Sequence, residues 1–223
     1  FIPGVKPGKS TKDYLDTISQ LFYYNAFVML SNGLEAKVGT VDSKYEFFHE
    51  WKRLAEDEKG SVAFETMLLG ICKKENFLDL LENFILYDHS DGRTAKIFAR
   101  NHQYLGVNVA VNAYAHRKLT DGKLGVFWHT QGSGKSYSMA FLAQKIRRKM
   151  SGSPTFVVLT DREELNTQIS DTFENCGILG KDSKAKQCIA TSGEDLIAKL
   201  KGNPSFTDRE DLDAQIHKTF VRS

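Results

Sequence analysis

The stretch that decides the fold is VFWHTQGSGKS, residues 126–136, in which a short apolar run leads into a glycine-containing loop. The run LGVFW at Leu124–Trp128 has the length and apolar character of a buried strand. After the loop, apolar side chains recur at helical spacing in Lys135–Lys149, which predicts a helix. A strand that passes through a glycine loop into a helix is the arrangement that a phosphate-binding loop requires.

Each residue type in this loop suits phosphate. Gly132 and Gly134 have no Cβ, so the backbone can approach an anion, and successive N–H groups at the helix N-terminus would bind it. Lys135 would reach the β- and γ-phosphates of a nucleoside triphosphate, and the Ser136 hydroxyl would ligate Mg²⁺. The competing interpretation is an ordinary strand-to-helix turn that happens to read GSGKS. We predict an ATP-binding loop made of Thr130, Gln131, Gly132, Ser133, Gly134, Lys135 and Ser136.

One position departs from the usual pattern of such loops, GxxxxGK[ST]. His129 stands where the first glycine of that pattern would be. Imidazole can serve as a ligand or as a base, so both roles are open to this side chain. We favour the plainer role, in which His129 is a loop residue that supports the phosphate-binding segment.

The elements around the loop alternate between strand and helix. Helices are predicted at Lys96–Lys118 and Glu163–Asn175, and TFVVL at Thr155–Leu159 indicates a second buried strand. A further short strand is predicted at Cys188–Thr191, followed by a helix that Ser192 caps. This alternation predicts an α/β fold in which crossover helices connect the strands of a parallel sheet.

The helix that follows the loop ends in a run of positive charges. Cations suit the negative end of a helix dipole, and such runs are usually solvated. We therefore interpret the run as an exposed helix end. It consists of Lys145, Arg147, Arg148 and Lys149.

The chain before residue 94 follows a different pattern. Asn32-Gly33 separates the strand-like runs Asn25–Ser31 and Glu35–Thr40, which predicts a β-hairpin. Apolar residues then recur at helical spacing throughout Tyr45–Leu86, and we expect these stripes to be packed core. The polar stretch Tyr87–Arg93 is interpreted as a linker.

Composition and charge are those of an ordinary globular protein. Hydrophobic residues make up 41% and charged residues 26%, and the formal net charge of +2 neither requires nor excludes a nucleic-acid partner. Three cysteines without a CxxC pair favour reduced thiols in the cytoplasm. No apolar run approaches the roughly 18 residues that span a bilayer, so no membrane association is expected. Because the chain begins with Phe1 rather than Met, we expect a fragment.

An internal similarity occurs late in the chain. TDREELNTQISDTF, at Thr160–Phe173, recurs as TDREDLDAQIHKTF at Thr207–Phe220, with nine of fourteen positions identical. Two explanations remain open. The second copy is either a partial duplication or a segment that follows missing residues between Phe206 and Thr207.

Taken in order, the motifs resemble those of one family. VFWHTQGSGKSYSMAF resembles motif I of the motor (R) subunit of type I restriction–modification enzymes, which are superfamily 2 DNA translocases fused to a nuclease. VVLTDREELNTQI looks like the family's motif Ia, and NHQYLGVNVAVNAY is similar to its adenine-recognition region. LFYYNAFVMLSNG and the following AKVGT resemble the segment that closes the nuclease domain.

The resemblance implies roles for three residues outside the loop. Gln103 would recognise adenine through its side-chain amide, although a surface glutamine has many other uses. Asp161 and Arg162 would lie near the DNA backbone, with Arg162 as the phosphate contact. The alternative for Arg162 is an ion pair at the start of a helix, with Glu163 or Glu164.

The resemblance also implies cofactors, partners and domains. ATP and Mg²⁺ would power the pumping of double-stranded DNA before it is cut, together with methyltransferase and specificity subunits. The chain would hold the end of a restriction-endonuclease-like α/β domain at 1–44, a helical connector at 45–94, and part of the first RecA-like motor domain at 95–223.

Two motifs that the complete reaction needs are missing from the sequence. No DExH motif follows Ser136, and Asp13 and Asp16 lie on a predicted helix rather than on a strand next to a Glu-x-Lys, as a nuclease site would need. We therefore expect nucleotide binding without hydrolysis or cleavage by this chain alone. The rival interpretations are another superfamily 2 helicase or P-loop ATPase, a small-molecule kinase, or a scaffold with a vestigial loop.

Overall fold

The structure, a computed structural model, describes residues 13–152, 154–179 and 185–201. Within these ranges the strands form two antiparallel hairpins, around which the helices pack. No helix in the described part of the chain is long and apolar enough to cross a membrane. The second copy of the internal repeat, residues 207–220, lies outside the described residues.

The predicted hairpin at Asn32-Gly33 is confirmed. Strand β1 spans Val28–Ser31 and strand β2 spans Ala36–Gly39, paired antiparallel with Ser31 opposite Ala36. The Asn32 side chain accepts the backbone N–H of Glu35 at 2.7 Å, and Gly33 has φ of +92°. The loop therefore has four residues rather than two, because the Asn32 side chain replaces a backbone partner inside the turn.

The helical prediction for Tyr45–Leu86 is wrong in its first part. Helix α1 begins only at Phe64 and ends at Cys72 (Phe64–Cys72), and helix α2 follows at Lys74–Asn83. Residues 45–63 contain one 3-10 turn and otherwise no regular structure.

Two tertiary contacts hold the segment around Trp51 in its irregular course. The Trp51 side chain is buried against Gly70 of α1, where any Cβ would overlap the indole ring. The buried Asn101 side chain accepts the backbone N–H groups of Lys52 and Arg53 and donates to the Arg53 carbonyl at 2.9 Å. Backbone groups bonded in this way cannot make helical hydrogen bonds, so tertiary packing overrides the helical spacing.

The prediction that Tyr87–Arg93 is a linker is wrong, because these residues lie at the turn of a second hairpin. Strand β3 (Ile85–Asp88) pairs antiparallel with strand β4 (Ala95–Phe98). The Asp88 carboxylate accepts the backbone N–H of Ser90 at 2.9 Å, which closes the turn. Polar composition indicated a linker, but it equally suits a tight turn. The boundary that we predicted at residue 94 falls inside this hairpin.

The bounds of the remaining helices are close to those predicted from the sequence, except for the helix predicted at Lys96–Lys118. Residues Lys96–Phe98, predicted as helix, belong to β4. The predicted strand at Cys188–Thr191 is absent from the described residues, since Cys188 ends a helical turn. The Ser192 cap is confirmed, as its Oγ accepts the N–H of Asp195 at 3.1 Å. The helices are α3 (Asn101–Ala115), α4 (Lys135–Lys149), α5 (Glu163–Asn175), α6 (Ala185–Cys188) and α7 (Gly193–Lys201).

The two strands predicted beside the loop have no partner strand within the described ranges. Leu124–Trp128 and Thr155–Leu159 both lack regular structure. Their apolar side chains are exposed, with Val126 at 95%, Trp128 at 77% and Leu159 at 72%. A strand needs a neighbour to satisfy its backbone groups, and the described residues supply none. The parallel sheet is thus not present among these residues.

One hydrophobic core joins the two halves of the chain. The Phe84 ring packs against Tyr104 of α3 at 4.8 Å and against Phe141 of α4 at 5.7 Å between centroids. Trp51 also packs against Tyr104, with 5.4 Å between ring centroids. The same cluster of buried side chains continues from Ala36 to Ile178. Helices α3 and α4, which frame the loop, are therefore fixed to the hairpins by aromatic contacts.

Candidate nucleotide-binding site

The loop adopts the backbone that its glycines predict. Gly132 has φ of +76° and Gly134 has φ of +83°, in the left-handed region that residues with a Cβ rarely adopt. Helix α4 begins directly afterwards at Lys135. The first N–H groups of α4 have no partner within the helix, and they carry the positive end of its dipole. The loop can therefore attract and bind an anion.

The Lys135 side chain folds back along its own loop. Its ammonium group donates to the carbonyl oxygens of His129 and Thr130, both at 2.9 Å. The Lys135 side chain as a whole is exposed, so these bonds compete with water. The ammonium group can exchange these carbonyls for the oxygens of a bound anion at little cost.

The first turn of α3 supports the loop through two adjacent side chains. Nε2 of His102 lies 3.0 Å from the carbonyl oxygen of Ser133, and Nε2 of Gln103 donates to that of Gly134 at 3.0 Å. Oε1 of Gln103 accepts the backbone N–H of Arg100 at 2.9 Å, which also caps α3. Gln103, predicted as the adenine reader, is only 3% exposed. Here its side chain holds the carbonyl of Gly134, within the predicted phosphate-binding loop.

Aromatic packing between α3 and the start of the loop adds to this support. The His129 ring lies edge-on to His102, with 4.7 Å between centroids, and edge-on to Phe127 at 4.4 Å. Phe127 in turn packs over Gly106 of α3, where a Cβ would overlap its ring. Burial lowers the pKa of both histidines below the usual value, so both are neutral at pH 7. His129 thus supports the loop as a packed ring.

Two polar atoms of the loop are buried without a hydrogen-bond partner among the described residues. They are Nδ1 of His129 and Oγ of Ser133. Buried polar groups in native proteins are nearly always paired. A ligand group of matching polarity that reached either atom would offset the cost of its unpaired burial.

A second contact fixes the start of α4 from the hairpin side. The Tyr137 hydroxyl, two residues after Lys135, donates to Oδ2 of the buried Asp88 at 2.5 Å. Burial and the Asp88 carboxylate raise the pKa of Tyr137 well above its ordinary value. Burial opposes the charge on Asp88, but the Tyr137 and Ser90 hydrogen bonds outweigh it and lower the pKa of Asp88. The carboxylate is therefore ionised and anchors α4.

The interpretation of the basic run as a solvated helix end is wrong for Lys145. This residue is 8% exposed, and its ammonium lies 2.6 Å from the Asp79 carboxylate of α2. It also donates to Asn108 of α3 and lies over the Phe84 ring. A buried ammonium needs such partners, and Asp79 and Asn108 are far away in sequence, so the helix pattern could not reveal them. The other three members of the run are exposed.

A positively charged cleft of about 400 Å³ adjoins His102. Its cations come from β2, from the irregular segment and from the turn before α3, and Glu50 is its acidic member. Burial and then the charge of Arg100 lower the pKa of His49 to about 4. Anions are attracted to such a region. The cationic residues of the cleft are Lys37, Lys52, Arg53 and Arg100.

The predicted DNA-contact residues lie at the start of α5. Arg162 directly precedes the helix, and its guanidinium is 3.8 Å from the Asp161 carboxylate. Both side chains are largely exposed, at 74% and 80%. The ion pair that we considered between Arg162 and Glu163 or Glu164 is not formed among the described residues, where Asp161 is the partner instead. Exposure leaves the guanidinium accessible to a phosphate group.

The sequence around the candidate site is similar to that of a known ATPase family. Residues 102–206 match the sequence model of the SWI2/SNF2 ATPase family. This range contains the loop, helix α4 that it opens, and the loop-supporting turn of α3. The stretch that holds the candidate site is therefore similar to the SWI2/SNF2 ATPase family.

Longer similarities define the family. The chain is 38% identical over 178 residues to the type I restriction enzyme HindI endonuclease subunit of Haemophilus influenzae, covering 76% of this chain and 16% of that protein. It is 30% identical over 220 residues to the putative MjaIXP endonuclease subunit of Methanocaldococcus jannaschii, covering 87% of this chain and 20% of that protein. The chain belongs to the family of type I restriction enzyme endonuclease subunits. It spans about a sixth to a fifth of the length of these relatives.

Proposed function

We propose that this chain carries the ATP-binding part of a cytoplasmic restriction subunit that moves along double-stranded DNA and cuts it. The observation that carries the proposal is the loop itself, with Gly132 and Gly134 in the left-handed region and α4 beginning at Lys135. Backbone N–H groups and a helix dipole that converge on one point suit a polyphosphate better than any neutral ligand. The related endonuclease subunits supply the restriction context.

Three of the predicted site residues have specific roles in the proposed ATP–Mg²⁺ complex. Lys135 would release the carbonyls of His129 and Thr130 and bind phosphate oxygens, while Ser136, in the first turn of α4, would hold Mg²⁺. The metal ion would neutralise the charge that develops on the phosphates. Gln103 would read adenine with its amide while it clamps Gly134, because a glutamine amide has two N–H donors.

We further propose that Leu124–Trp128 and Thr155–Leu159 are strands of a RecA-like parallel sheet in the whole protein. Their exposed apolar side chains, with Val126 at 95%, support this arrangement, because such residues are costly to leave in water. Amide hydrogen exchange in the whole subunit would test it. Strong protection at Thr155–Leu159 is expected, and exchange as fast as in an unfolded peptide would contradict it.

The partners proposed for the whole protein are double-stranded DNA and the methyltransferase and specificity subunits. The named relatives are endonuclease subunits of type I restriction enzymes, which supports assembly into such a complex. Asp161 and Arg162 are the proposed DNA contacts, and their exposure supports this role. Within the chain, no DExH motif follows Ser136, so the proposal for the chain alone is binding without hydrolysis.

Calorimetric titration with ATP–Mg²⁺ tests the proposal. We expect the chain to bind, Lys135→Ala to remove binding, and Arg148→Ala, an exposed change on the same helix, to leave it intact. Phosphate release should stay at background, with or without DNA, because a missing transition-state arginine alone costs about 10³–10⁵-fold. Equal affinities for wild type and Lys135→Ala would refute the proposed site. Phosphate release that DNA stimulates and Lys135→Ala abolishes would refute the absence of hydrolysis.

A further inference from the structure

The two side chains at the first turn of α3 contact consecutive carbonyl groups of the loop. His102 lies against the Ser133 carbonyl and Gln103 against the Gly134 carbonyl, each at 3.0 Å. Adjacent residues of one helical turn are thus matched to adjacent peptide groups that are 31 residues away. Such a match constrains two successive peptide planes of the loop and not only its position.

The orientation of a carbonyl fixes the orientation of the next N–H group. A peptide bond is planar and trans, so its C=O and N–H point in opposite directions. When His102 holds the Ser133 carbonyl toward α3, the N–H of Gly134 must point away from α3. Gln103 orients the N–H of Lys135 in the same way. These two N–H groups are among those that a phosphate-binding loop presents to its anion.

The imidazole of His102 is itself held in one state. Burial lowers its pKa, and it is neutral at pH 7. A neutral imidazole has one N–H donor, and the bond to the Ser133 carbonyl requires that donor at Nε2. Edge-to-face contact with His129 at 4.7 Å fixes the plane of the ring. The donor is therefore preorganised toward the loop.

We propose that His102 is a positioning residue for triphosphate binding, because it holds the Ser133 carbonyl so that the Gly134 N–H faces the phosphates. The proposal rests on the proposed function and adds a residue that the usual loop pattern does not include. His102 acts on the ligand only through the loop. If its role were purely structural, substitution of His102 would lower the stability of the fold but would not change the affinity of the folded protein for the ligand.

Three substitutions separate these roles. His102→Leu removes the donor and keeps most of the volume. His102→Gln restores an N–H at nearly the position of Nε2, whereas the shorter amide of His102→Asn falls short of the Ser133 carbonyl. The matched control is His116→Leu, an exposed histidine beyond the other end of α3. Thermal unfolding of each variant identifies those that are folded, and affinities are compared among these.

The experiment is calorimetric titration of the 223-residue chain with ATP–Mg²⁺ and with inorganic tripolyphosphate. We expect His102→Leu and His102→Asn to weaken both ligands roughly 5–30-fold, the equivalent of one or two hydrogen bonds. His102→Gln should stay within about threefold of wild type, and the control should bind as wild type does. If the His102→Leu variant does not fold, the comparison of His102→Asn with His102→Gln gives the same information.

The possible failures are distinct. Wild-type affinity in folded His102→Leu or His102→Asn would overturn the positioning role while the proposed function stands. An equal loss in His102→Gln would also overturn it, since the restored donor would then be irrelevant. A wild-type chain that binds neither ligand would overturn the proposed function, and the positioning role with it.

Discussion

The amide of Gln103 donates to the carbonyl oxygen of Gly134 at 3.0 Å and so ties the first turn of α3 to the predicted phosphate-binding loop. The contact is close enough to exclude any side chain at Gly134, whose Cβ would lie 2.8 Å from the amide nitrogen. The glycine is therefore required twice, by its φ of +83° and by this neighbour.

Substitution of Gln103 should affect stability and nucleotide selectivity together. Gln103→Ala removes two hydrogen bonds and leaves the N–H of Arg100 without its side-chain partner, so we expect the free energy of unfolding to fall by about 1–3 kcal/mol. ATP affinity should fall more than GTP affinity, because the adenine contact is lost along with the clamp. Denaturant unfolding and calorimetry measure the two effects.

The exposed Gln168 of α5 provides the control, since Gln168→Ala should change stability by less than about 0.5 kcal/mol. An equal loss of affinity for ATP and GTP in Gln103→Ala would contradict adenine recognition and leave only the clamp.

The buried ion pair between Lys145 and Asp79 should stabilise the fold more than the exposed ion pair that Lys149 of the same helix makes with Glu82. Lys145→Ala leaves the Asp79 carboxylate, 19% exposed, without its cation, so we expect a loss of about 3–5 kcal/mol. Lys149→Ala breaks a pair with Glu82 whose side chains are 43% and 49% exposed, so it should lower the stability far less.

Denaturant unfolding of both variants makes the comparison directly. The double variant Lys145→Met with Asp79→Leu should recover much of the loss, because no buried charge then lacks a partner. Similar losses for Lys145→Ala and Lys149→Ala would show that Lys145 is solvated after all.

The stability of the chain should fall with acidification before the carboxylates titrate. The folded-state pKa of His49 is about 4, below its ordinary value of 6.5, because burial and the Arg100 charge disfavour the imidazolium. The unfolded chain therefore binds more protons between these values, and stability is lost as the pH falls from 6.5 toward 4. The full loss is on the order of 3 kcal/mol, at 1.36 kcal/mol per pKa unit.

Urea unfolding measured at several pH values between 7 and 5 tests this dependence. His49→Phe keeps a ring beside Phe98 but cannot titrate, so the slope in this window should decrease markedly. The corresponding change at the exposed His116 should leave the slope as in wild type. A slope that does not change in His49→Phe would assign the acid sensitivity to other groups.

The sequence correctly predicted the elements that are marked by residues within or next to them. Lys135–Lys149 and Glu163–Asn175 have the predicted bounds, since apolar periodicity and a glycine loop or acidic first turn mark them within the sequence. The same applies to the Asn32-Gly33 hairpin and to the loop glycines. In the candidate site, the ATP-binding roles of these residues and of Gln103 stay predictions.

The predictions were wrong where contacts between residues far apart in the sequence determine the structure. Trp51 lies in an irregular segment because Gly70 receives its indole and Asn101 binds the neighbouring backbone, and helical spacing carries no sign of either. Lys145 is buried because Asp79 and Asn108 meet it from two other helices. His102 was overlooked as well, although its position beside Gln103 on the same turn was the available signal.

The last prediction concerns Arg162 in the whole protein. Its guanidinium is 74% exposed at the start of α5, with Asp161 3.8 Å away as its ion-pair partner. Such an exposed pair stabilises the fold by little, so Arg162→Ala should leave stability nearly unchanged. Its proposed partner is a phosphate of double-stranded DNA. A phosphate contact carries no base information, so the loss of affinity should be the same for every DNA sequence.

Salt dependence distinguishes this role from a structural one. Neutralising one phosphate releases about one counterion, so the slope of log affinity against log salt should become shallower by about 1 in Arg162→Ala. Arg148→Ala, an exposed arginine on α4, should keep the wild-type slope. Fluorescence anisotropy with two unrelated duplexes between low and moderate salt measures both quantities. Wild-type affinity and slope in Arg162→Ala would mean that the guanidinium serves only the start of α5, where Asp161 is its partner.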